Sequence, residues 1–133
     1  MRVMLDTNTC IFVINNNAAV RTRFIAEHPS GIAISAITEA ELWFGVENST
    51  NSEKNAQTLC VFLATVETIA FGTLAAAEYG RVRAKLKRAG TLISERDMLI
   101  AAHAKSEGLT IVTNNVREFE RVEGLRPEDW LAE

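Results

Sequence analysis

Near its start the chain reads Val3-Met4-Leu5-Asp6-Thr7-Asn8, three apolar residues that run directly into an acid. A short apolar run bounded by polar residues is typical of a buried strand, here over residues 2–5, with Asp6 at its carboxyl end. Similar runs occur near 31–35, 67–71 and 109–112. The sequence therefore predicts four short strands, with Asp6 at the edge of the sheet where ligand sites form.

Helical patterns fill the gaps between these runs. We expect helices near 8–15, 18–27, 38–49, 53–65, 72–89 and 95–107, and a short turn near 116–120. Gly90 and Gly108 end two of the helices, and Pro127 is expected to begin the tail. Strands that alternate with helices pair in parallel, so the pattern predicts a layered α/β domain.

Size and composition limit the possible classes of protein. With 133 residues, 47% of them hydrophobic, the chain fits one domain over residues 1–133. The net charge of −3 argues against a protein that coats nucleic acid by charge alone. No apolar stretch approaches the roughly 20 residues of a membrane helix, and nothing marks the chain for export, so we expect a soluble cytoplasmic protein. Cys10 and Cys60 lie in apolar helical stretches and are expected to be reduced core residues.

Two later acids fall where a helix facing the core should be apolar. Glu41 lies four residues after Ile37 and three before Phe44, and Asp97 lies three residues before Ile100. Residues three or four apart share one face of a helix, so both acids are expected to face inward with their apolar neighbours.

Asp6, Glu41 and Asp97 would lose hydration and repel one another in one small domain unless a cation lay between them. Oxygen donors without a cluster of Cys or His favour Mg²⁺, or Mn²⁺, over zinc. His103, on a largely apolar helix, is expected to be a buried histidine and not a ligand. Such magnesium sites usually serve phosphate chemistry, so phosphodiester hydrolysis is the activity that these acids favour.

Helix capping offers a competing explanation for the same acids. Thr38-Glu39-Ala40-Glu41 and Ser94-Glu95-Arg96-Asp97 both have the form of a capping box, and Asp6 is also an ordinary cap residue after a strand. Capping alone does not explain why the last residue of each box, Glu41 or Asp97, should align with the apolar stripe of its helix. The two roles are compatible, because the helix dipole helps an acid in the first turn to stay ionised.

Several spaced motifs resemble those of PIN-domain ribonucleases of the VapC toxin type. They are Met4-Leu5-Asp6-Thr7-Asn8, Ile37-Thr38-x-x-Glu41-Leu42-x-x-Gly45, Asp97-x-Leu99-Ile100-Ala101-Ala102-His103-Ala104 and Val112-Thr113-Asn114-Asn115-x-Arg117-Glu118-Phe119. The resemblance covers nearly the whole chain. It implies a three-layer α/β/α PIN-like domain with a short, mainly parallel central sheet.

The resemblance also implies an activity and partners. It implies a magnesium-dependent endoribonuclease toxin that cuts structured RNA, in particular initiator transfer RNA in its anticodon region, and so inhibits translation. It further implies a VapB-type antitoxin and a homodimer.

The resemblance assigns roles to individual residues. Asp6, Glu41 and Asp97 match the catalytic and metal-binding acids of the family. The supporting positions that match are Thr7, Asn8, Thr113 and Asn115, the last where many PIN domains have a fourth acid. Where similar chains often carry a Gly-Pro-like turn before the third acid, this chain has Ser94-Glu95-Arg96.

One predicted helix is strongly basic. Its cations are Arg81, Arg83, Lys85, Lys87 and Arg88. They are expected either to guide an RNA backbone toward the acidic site or simply to form a solvated helix face.

Two rival classes remain at this point. A receiver domain or a haloacid-dehalogenase-like phosphatase also places an Asp after its first strand. However, a receiver needs an acid after its third strand, where Gly72-Thr73 stands, and the phosphatase needs Asp-x-Asp, where this chain has Asn8. The second rival is a catalytically idle module that only binds an antitoxin-like peptide, with its acids serving as helix caps.

Overall fold

A sheet of five parallel strands forms the centre of the fold in residues 1–132, the part of the chain that the computed structural model describes. The strands are β1 (Val3–Leu5), β2 (Ile32–Ser35), β3 (Glu67–Ile69), β4 (Thr110–Val112) and β5 (Pro127–Glu128), in the spatial order β3-β2-β1-β4-β5. The four predicted strands are confirmed. The predicted tail at Pro127 is wrong, because residues 127 and 128 pair with Ile111 and Val112 as an edge strand.

Seven helices within residues 1–132 connect and cover the strands. They are α1 (Thr7–Ile14), α2 (Ala18–Glu27), α3 (Ala36–Glu47), α4 (Ser52–Leu63), α5 (Thr73–Ala89), α6 (Glu95–Ser106) and α7 (Val116–Phe119), with a 3-10 turn at His28–Ser30. Gly90 ends α5 in the left-handed conformation, with φ of 71°, as its position in the sequence predicted. Across residues 1–132, every helix is too short or too polar to cross a membrane.

The helices form a layer on each face of the sheet. Val3 and Leu5 point into a core shared with α1, α2, α3 and α4, whereas Met4 points into a second core shared with α5, α6 and α7. Side chains alternate between the faces of a strand, so β1 contributes to both cores and is buried throughout. This arrangement is the three-layer α/β/α fold that the resemblance implied.

The start of α3 differs from the prediction. The helix begins at Ala36, and its cap is Ser35, whose Oγ accepts a hydrogen bond from the Ile37 N–H at 3.0 Å. Thr38 is therefore not the cap. As a consequence, Glu41 lies in the second turn of the helix and not in the capping position that the sequence suggested.

The prediction for one cysteine is also wrong. Cys10 is buried as expected, but Cys60 is exposed on α4. The buried face of α4 is formed by Leu59 and Phe62, so Cys60 points to the opposite side.

Glu128 ties the edge strand β5 to the rest of the fold. Its carboxylate accepts hydrogen bonds from Arg2 at 2.9 Å, from Arg23 at 2.7 Å and from the Trp130 indole N–H at 2.9 Å. These partners, with the Arg2 bond foremost, lower the pKa of Glu128 from 4.5 to about 2. Ionised Glu128 therefore stabilises the fold more than it stabilises the unfolded chain.

We predict that Glu128→Gln lowers the free energy of unfolding by about 1 kcal/mol near neutral pH, a figure reduced for the partial exposure of these groups. The pKa of Glu128 is lowered in the fold, so its contribution is complete above 4.5 and is lost as the pH falls toward about 2. Urea unfolding at about pH 7 and about pH 3 measures this difference. Exposed Glu120 provides the control, since Glu120→Gln should change stability little at either pH.

Candidate active site

Of the predicted acids, Asp6 lies at the carboxyl end of a central strand, whereas Glu41 and Asp97 lie on the helices α3 and α6. Asp6 follows β1 directly, and Thr113 follows β4, the neighbouring strand. The Asp6 N–H donates to the Val112 carbonyl at 3.0 Å, which extends the pairing of the two strands to the site. Parallel strands end on one edge of a sheet, so the fold itself brings these residues together.

Asp6 is a buried carboxylate that also caps α1. It is 4% exposed, and its Oδ1 accepts a hydrogen bond from the Thr9 N–H at 2.9 Å. Burial raises the pKa of Asp6, and the charge of Asp97 raises it further, against hydrogen bonds from Thr113 and Thr9 that lower it. The cap role of Asp6 is therefore confirmed, and its role in a catalytic site stays a prediction.

Asp97 lies in the first turn of α6 and faces the same region. Its N–H donates to Oγ of Ser94 at 3.2 Å, which confirms that Ser94 caps this helix. Burial raises the pKa of Asp97, whereas hydrogen bonds from Ser94 and Asn115 and the charge of Arg96 lower it. A cation would be stabilised beside a half-buried acid that is repelled by the charge of a second acid.

Glu118 is an acid near the candidate site that the sequence analysis did not single out as a site residue. Its charge raises the pKa of Asp97. The fourth acidic position had been assigned to Asn115, three residues earlier. Helical spacing could have found Glu118, because residues three apart lie on one face of the short helix α7.

Glu41 occupies a different position from the one predicted. The buried stripe of α3 is formed by Thr38, Leu42 and Val46, and Phe44 is 66% exposed. The prediction that Glu41 shares a buried face with Phe44 is therefore wrong. Glu41 lies at the edge of that stripe, where its Oε2 accepts a hydrogen bond from Nη1 of Arg96 at 3.2 Å.

The cluster has the chemistry of a site for a hard cation. In residues 1–132 no group of three or more Asp, Glu, His or Cys side chains is close enough together to hold a metal ion. Asp6 and Asp97 interact through their charges, and Thr113 and Asn115 add hydroxyl and amide groups that bond to them. Few carboxylates and no soft ligands suit Mg²⁺, which keeps several waters. That Glu41 joins this set stays a prediction.

The supporting residues are not equivalent. Thr113 is fully buried, and its Oγ1 accepts a hydrogen bond from the Asn115 N–H at 2.9 Å, which fixes the loop after β4. Thr7 is buried, and its hydroxyl has no hydrogen-bond partner within the described residues. Asn8 is exposed in the first turn of α1. Their roles in catalysis stay predictions.

The basic helix is α5, and most of its cations already have acidic partners. Arg81 pairs with Glu78 and Lys85 with Glu123, while Arg83 donates to the Tyr79 hydroxyl and lies 3.6 Å from Glu95. Such pairs favour the solvated-face explanation for this part of the helix.

Lys87 and Arg88 differ from these three. They lie in the last turn of α5, and neither forms an ion pair in the part of the chain described. The loop from α5 leads directly to the start of α6, where Asp97 lies. That Lys87 and Arg88 bind RNA stays a prediction.

His103 is a buried residue, as predicted. Its Nδ1 lies 2.7 Å from Oγ of Ser35, the cap of α3, and its ring packs edge-on against Phe71. This hydrogen bond joins the end of β2 to the last turn of α6, the helix that carries Asp97 in its first turn. Burial lowers the pKa of His103, so the neutral ring is the form that the fold stabilises.

Replacing His103 should remove a pH dependence of stability. The pKa is lowered in the fold, so protonation favours the unfolded chain and stability falls as the pH drops below 6.5. His103→Gln should be less stable at neutral pH by about 1 to 2 kcal/mol, and its stability should change less between about pH 7 and about pH 5. Urea unfolding at both pH values is the measurement, with His28→Gln as the exposed control. An unchanged pH dependence in His103→Gln would contradict this role.

Comparison with known proteins places this fold and site in a family. The sequence matches the PIN domain family over residues 3–125. The "tRNA(fMet)-specific endonuclease VapC" of Salmonella typhimurium is 46% identical over 131 residues, which cover 98% of each chain. A Haemophilus influenzae protein, "Ribonuclease VapC2", is 40% identical over 98% of this chain and 99% of its own length.

Solved structures agree with this assignment. The crystal structure of DNA-bound VapBC from Salmonella typhimurium superposes with a TM-score of 0.93 at 46% identity, over 98% of both chains. VapBC2 from Rickettsia felis, bound to a promoter DNA fragment, gives 0.92 at 38% identity over 98% of this chain and 99% of that one. The chain therefore belongs to the PIN-domain family and, within it, to the VapC proteins.

Proposed function

We propose that this chain is a metal-dependent endoribonuclease toxin that cuts transfer RNA, acts in the cytoplasm and is neutralised by a VapB-type antitoxin. The observation that carries the proposal is the pair Asp6 and Asp97, two carboxylates from separate elements whose pKa values are raised by burial and, for Asp6, by the other acid. Nothing in folding requires two acids to share a low-dielectric edge of the sheet. A catalytic site does.

The cofactor proposed is Mg²⁺, with Mn²⁺ able to replace it. Asp6 and Asp97 would hold the ion, with Glu41 as a further ligand, and Thr113 and Asn115 would keep the two carboxylates oriented through the hydrogen bonds described above. When bound, a divalent cation supplies positive charge beside the phosphate and makes a neighbouring water more acidic.

The chain's own residues would contribute the remaining steps. A carboxylate that does not hold the metal would accept the proton of the attacking water, and Glu118, whose charge raises the pKa of Asp97, is a candidate for this role. Lys87 and Arg88, in the last turn of α5, would bind the RNA backbone. Without such cations the acidic cluster would repel the phosphates of the substrate.

The proposed substrate and partners follow from the relatives. The Salmonella and Shigella flexneri relatives are named for cleavage of tRNA(fMet), which favours initiator transfer RNA, cut in its anticodon region, as the target here. The VapBC complexes favour an antitoxin of the VapB type as the partner. Each chain is expected to act as one PIN domain over residues 1–133, in a homodimer.

The proposal is tested with the purified chain and total transfer RNA. We expect cleavage with Mg²⁺ or Mn²⁺, loss of cleavage with a chelator, and recovery when excess Mg²⁺ is restored. Sequencing of the products should place the cut in the anticodon loop of the initiator species. Cleavage that persists in chelator would contradict the metal-dependent mechanism, and cleavage of no RNA by a folded chain would favour the idle antitoxin-binding module.

A further inference from the structure

Arg96 and Glu41 form an ion pair that links α6 to α3. The guanidinium Nη1 lies 3.2 Å from Oε2 of Glu41, between residues 55 positions apart in the chain. The other acid on this part of α3, Glu39, has a different partner, since it accepts a hydrogen bond from the Trp43 indole N–H at 3.1 Å. The pair is therefore specific to Glu41, the acid that was expected to be the third metal ligand.

The position of Arg96 is not explained by its own helix. It lies in the first turn of α6, one residue after Glu95 and one before Asp97. This end of a helix carries the positive end of the dipole, which favours acids and disfavours cations. Because Arg96 contradicts that local preference, its ion pair with Glu41 explains a cation in the first turn of α6 better than the helix itself does.

Arg96 is also the neighbour of the second acid. It directly precedes Asp97 in the first turn of α6, so the residue that pairs with Glu41 stands beside a proposed metal ligand. In this arrangement Glu41 does not belong to a metal-binding group in residues 1–132. The chain thus carries a positive charge that contacts Glu41 and lies next to Asp97 in sequence, two of the three acids proposed to bind a cation.

We propose that Arg96 is an internal counter-ion that competes with the divalent cation for Glu41. This inference rests on the proposed metal site. With Arg96 in place, metal would be held mainly by Asp6 and Asp97, and Glu41 would become a ligand only after the ion pair opens. The pair can open readily, because its side chains are 45% and 35% exposed and exposed pairs are weak.

The test is a double-mutant cycle read out by metal binding. Mn²⁺ is titrated by calorimetry into the full-length chain, Arg96→Gln, Glu41→Gln and the double variant. Arg96→Gln is expected to bind Mn²⁺ about three- to fivefold more tightly than the unmodified chain. Glu41→Gln should change the affinity less than about twofold, and the double variant should match Glu41→Gln.

Two controls separate this exchange from general charge effects. Arg117→Gln removes an exposed cation beside Glu118, and it measures what loss of a nearby charge does without any contact to Glu41. Arg96→Lys keeps the charge and should bind Mn²⁺ with nearly the original affinity.

The outcomes that overturn the proposal are distinct. One such outcome is a gain in Mn²⁺ affinity of Arg96→Gln that persists when Glu41 is also replaced, and another is a gain that Arg117→Gln reproduces in full. Either result would mean that the gain comes from the general loss of positive charge, and it would overturn the role of Arg96. Mn²⁺ binding that does not change in Arg96→Gln would do the same, while leaving the metal site intact. No Mn²⁺ binding by any variant would contradict the metal site and the competition together.

Discussion

Asp97→Asn is expected to reduce cleavage of transfer RNA by on the order of a thousandfold while leaving the fold intact. The substitution keeps the shape of the side chain, and the bond from the residue 97 N–H to Ser94 that caps α6 does not involve it. It removes one of the two charges proposed to hold the metal. Initial rates on purified initiator transfer RNA at saturating Mg²⁺ are the measurement.

Glu107→Gln is the matched control for Asp97→Asn. It changes an exposed acid at the other end of the same helix, far along α6 from the site. We expect its cleavage rate to stay within about twofold of the original. Equal activity of Asp97→Asn and the unmodified chain would mean that the acid is only a helix cap, or that the observed cleavage comes from a contaminant.

Asp6→Asn is expected to abolish cleavage and to stabilise the fold at the same time. Burial raises the pKa of Asp6, so the charged form is less stable in the folded chain than in the unfolded one. Asn keeps an oxygen that can accept the hydrogen bond from the Thr9 N–H and so keeps the cap of α1. Removing the charge should raise the free energy of unfolding by about 1 kcal/mol near neutral pH.

The pH dependence gives this prediction its sign. Because the pKa of Asp6 is raised in the fold, the penalty is present at neutral pH and disappears as the pH falls below the ordinary range of an aspartate. The gain from Asp6→Asn should therefore shrink in acid. Asp129→Asn is the control, since Asp129 bonds the Leu131 N–H at 2.8 Å in a less buried turn. A less stable Asp6→Asn would mean that the cap needs the charge and that Asp6 is not strained by burial.

Much of the fold could be predicted because its signals are local. The apolar runs of β1, β2 and β4 and the glycine at the end of α5 belong to short stretches of chain, and all are found where expected. The edge strand at Pro127 could not be predicted in the same way. Two residues carry no pattern, and this strand forms only because β4 offers free backbone groups beside it.

The site residues that the backbone positions could be predicted from the sequence. Those whose position depends on side-chain packing could not. Asp6 lies at the end of a strand and Asp97 at the start of a helix, and sequence patterns indicate both of these positions. The position of Glu41 depends on how α3 packs, and the face of α3 that packs on the core carries Thr38 and Leu42, which leaves Glu41 at its edge. Its partner Arg96 is 55 residues away, and no local pattern indicates a contact at that separation.

The most direct measurement is a crystal of the chain soaked in Mn²⁺, with anomalous scattering used to locate the ion. We predict one strong peak at the carboxyl edge of the sheet, with oxygens of Asp6 and Asp97 both within roughly 2.0 to 2.3 Å of it. A peak bound to only one of these acids, or an ion held elsewhere while this edge stays empty at saturating Mn²⁺, would contradict the shared metal site.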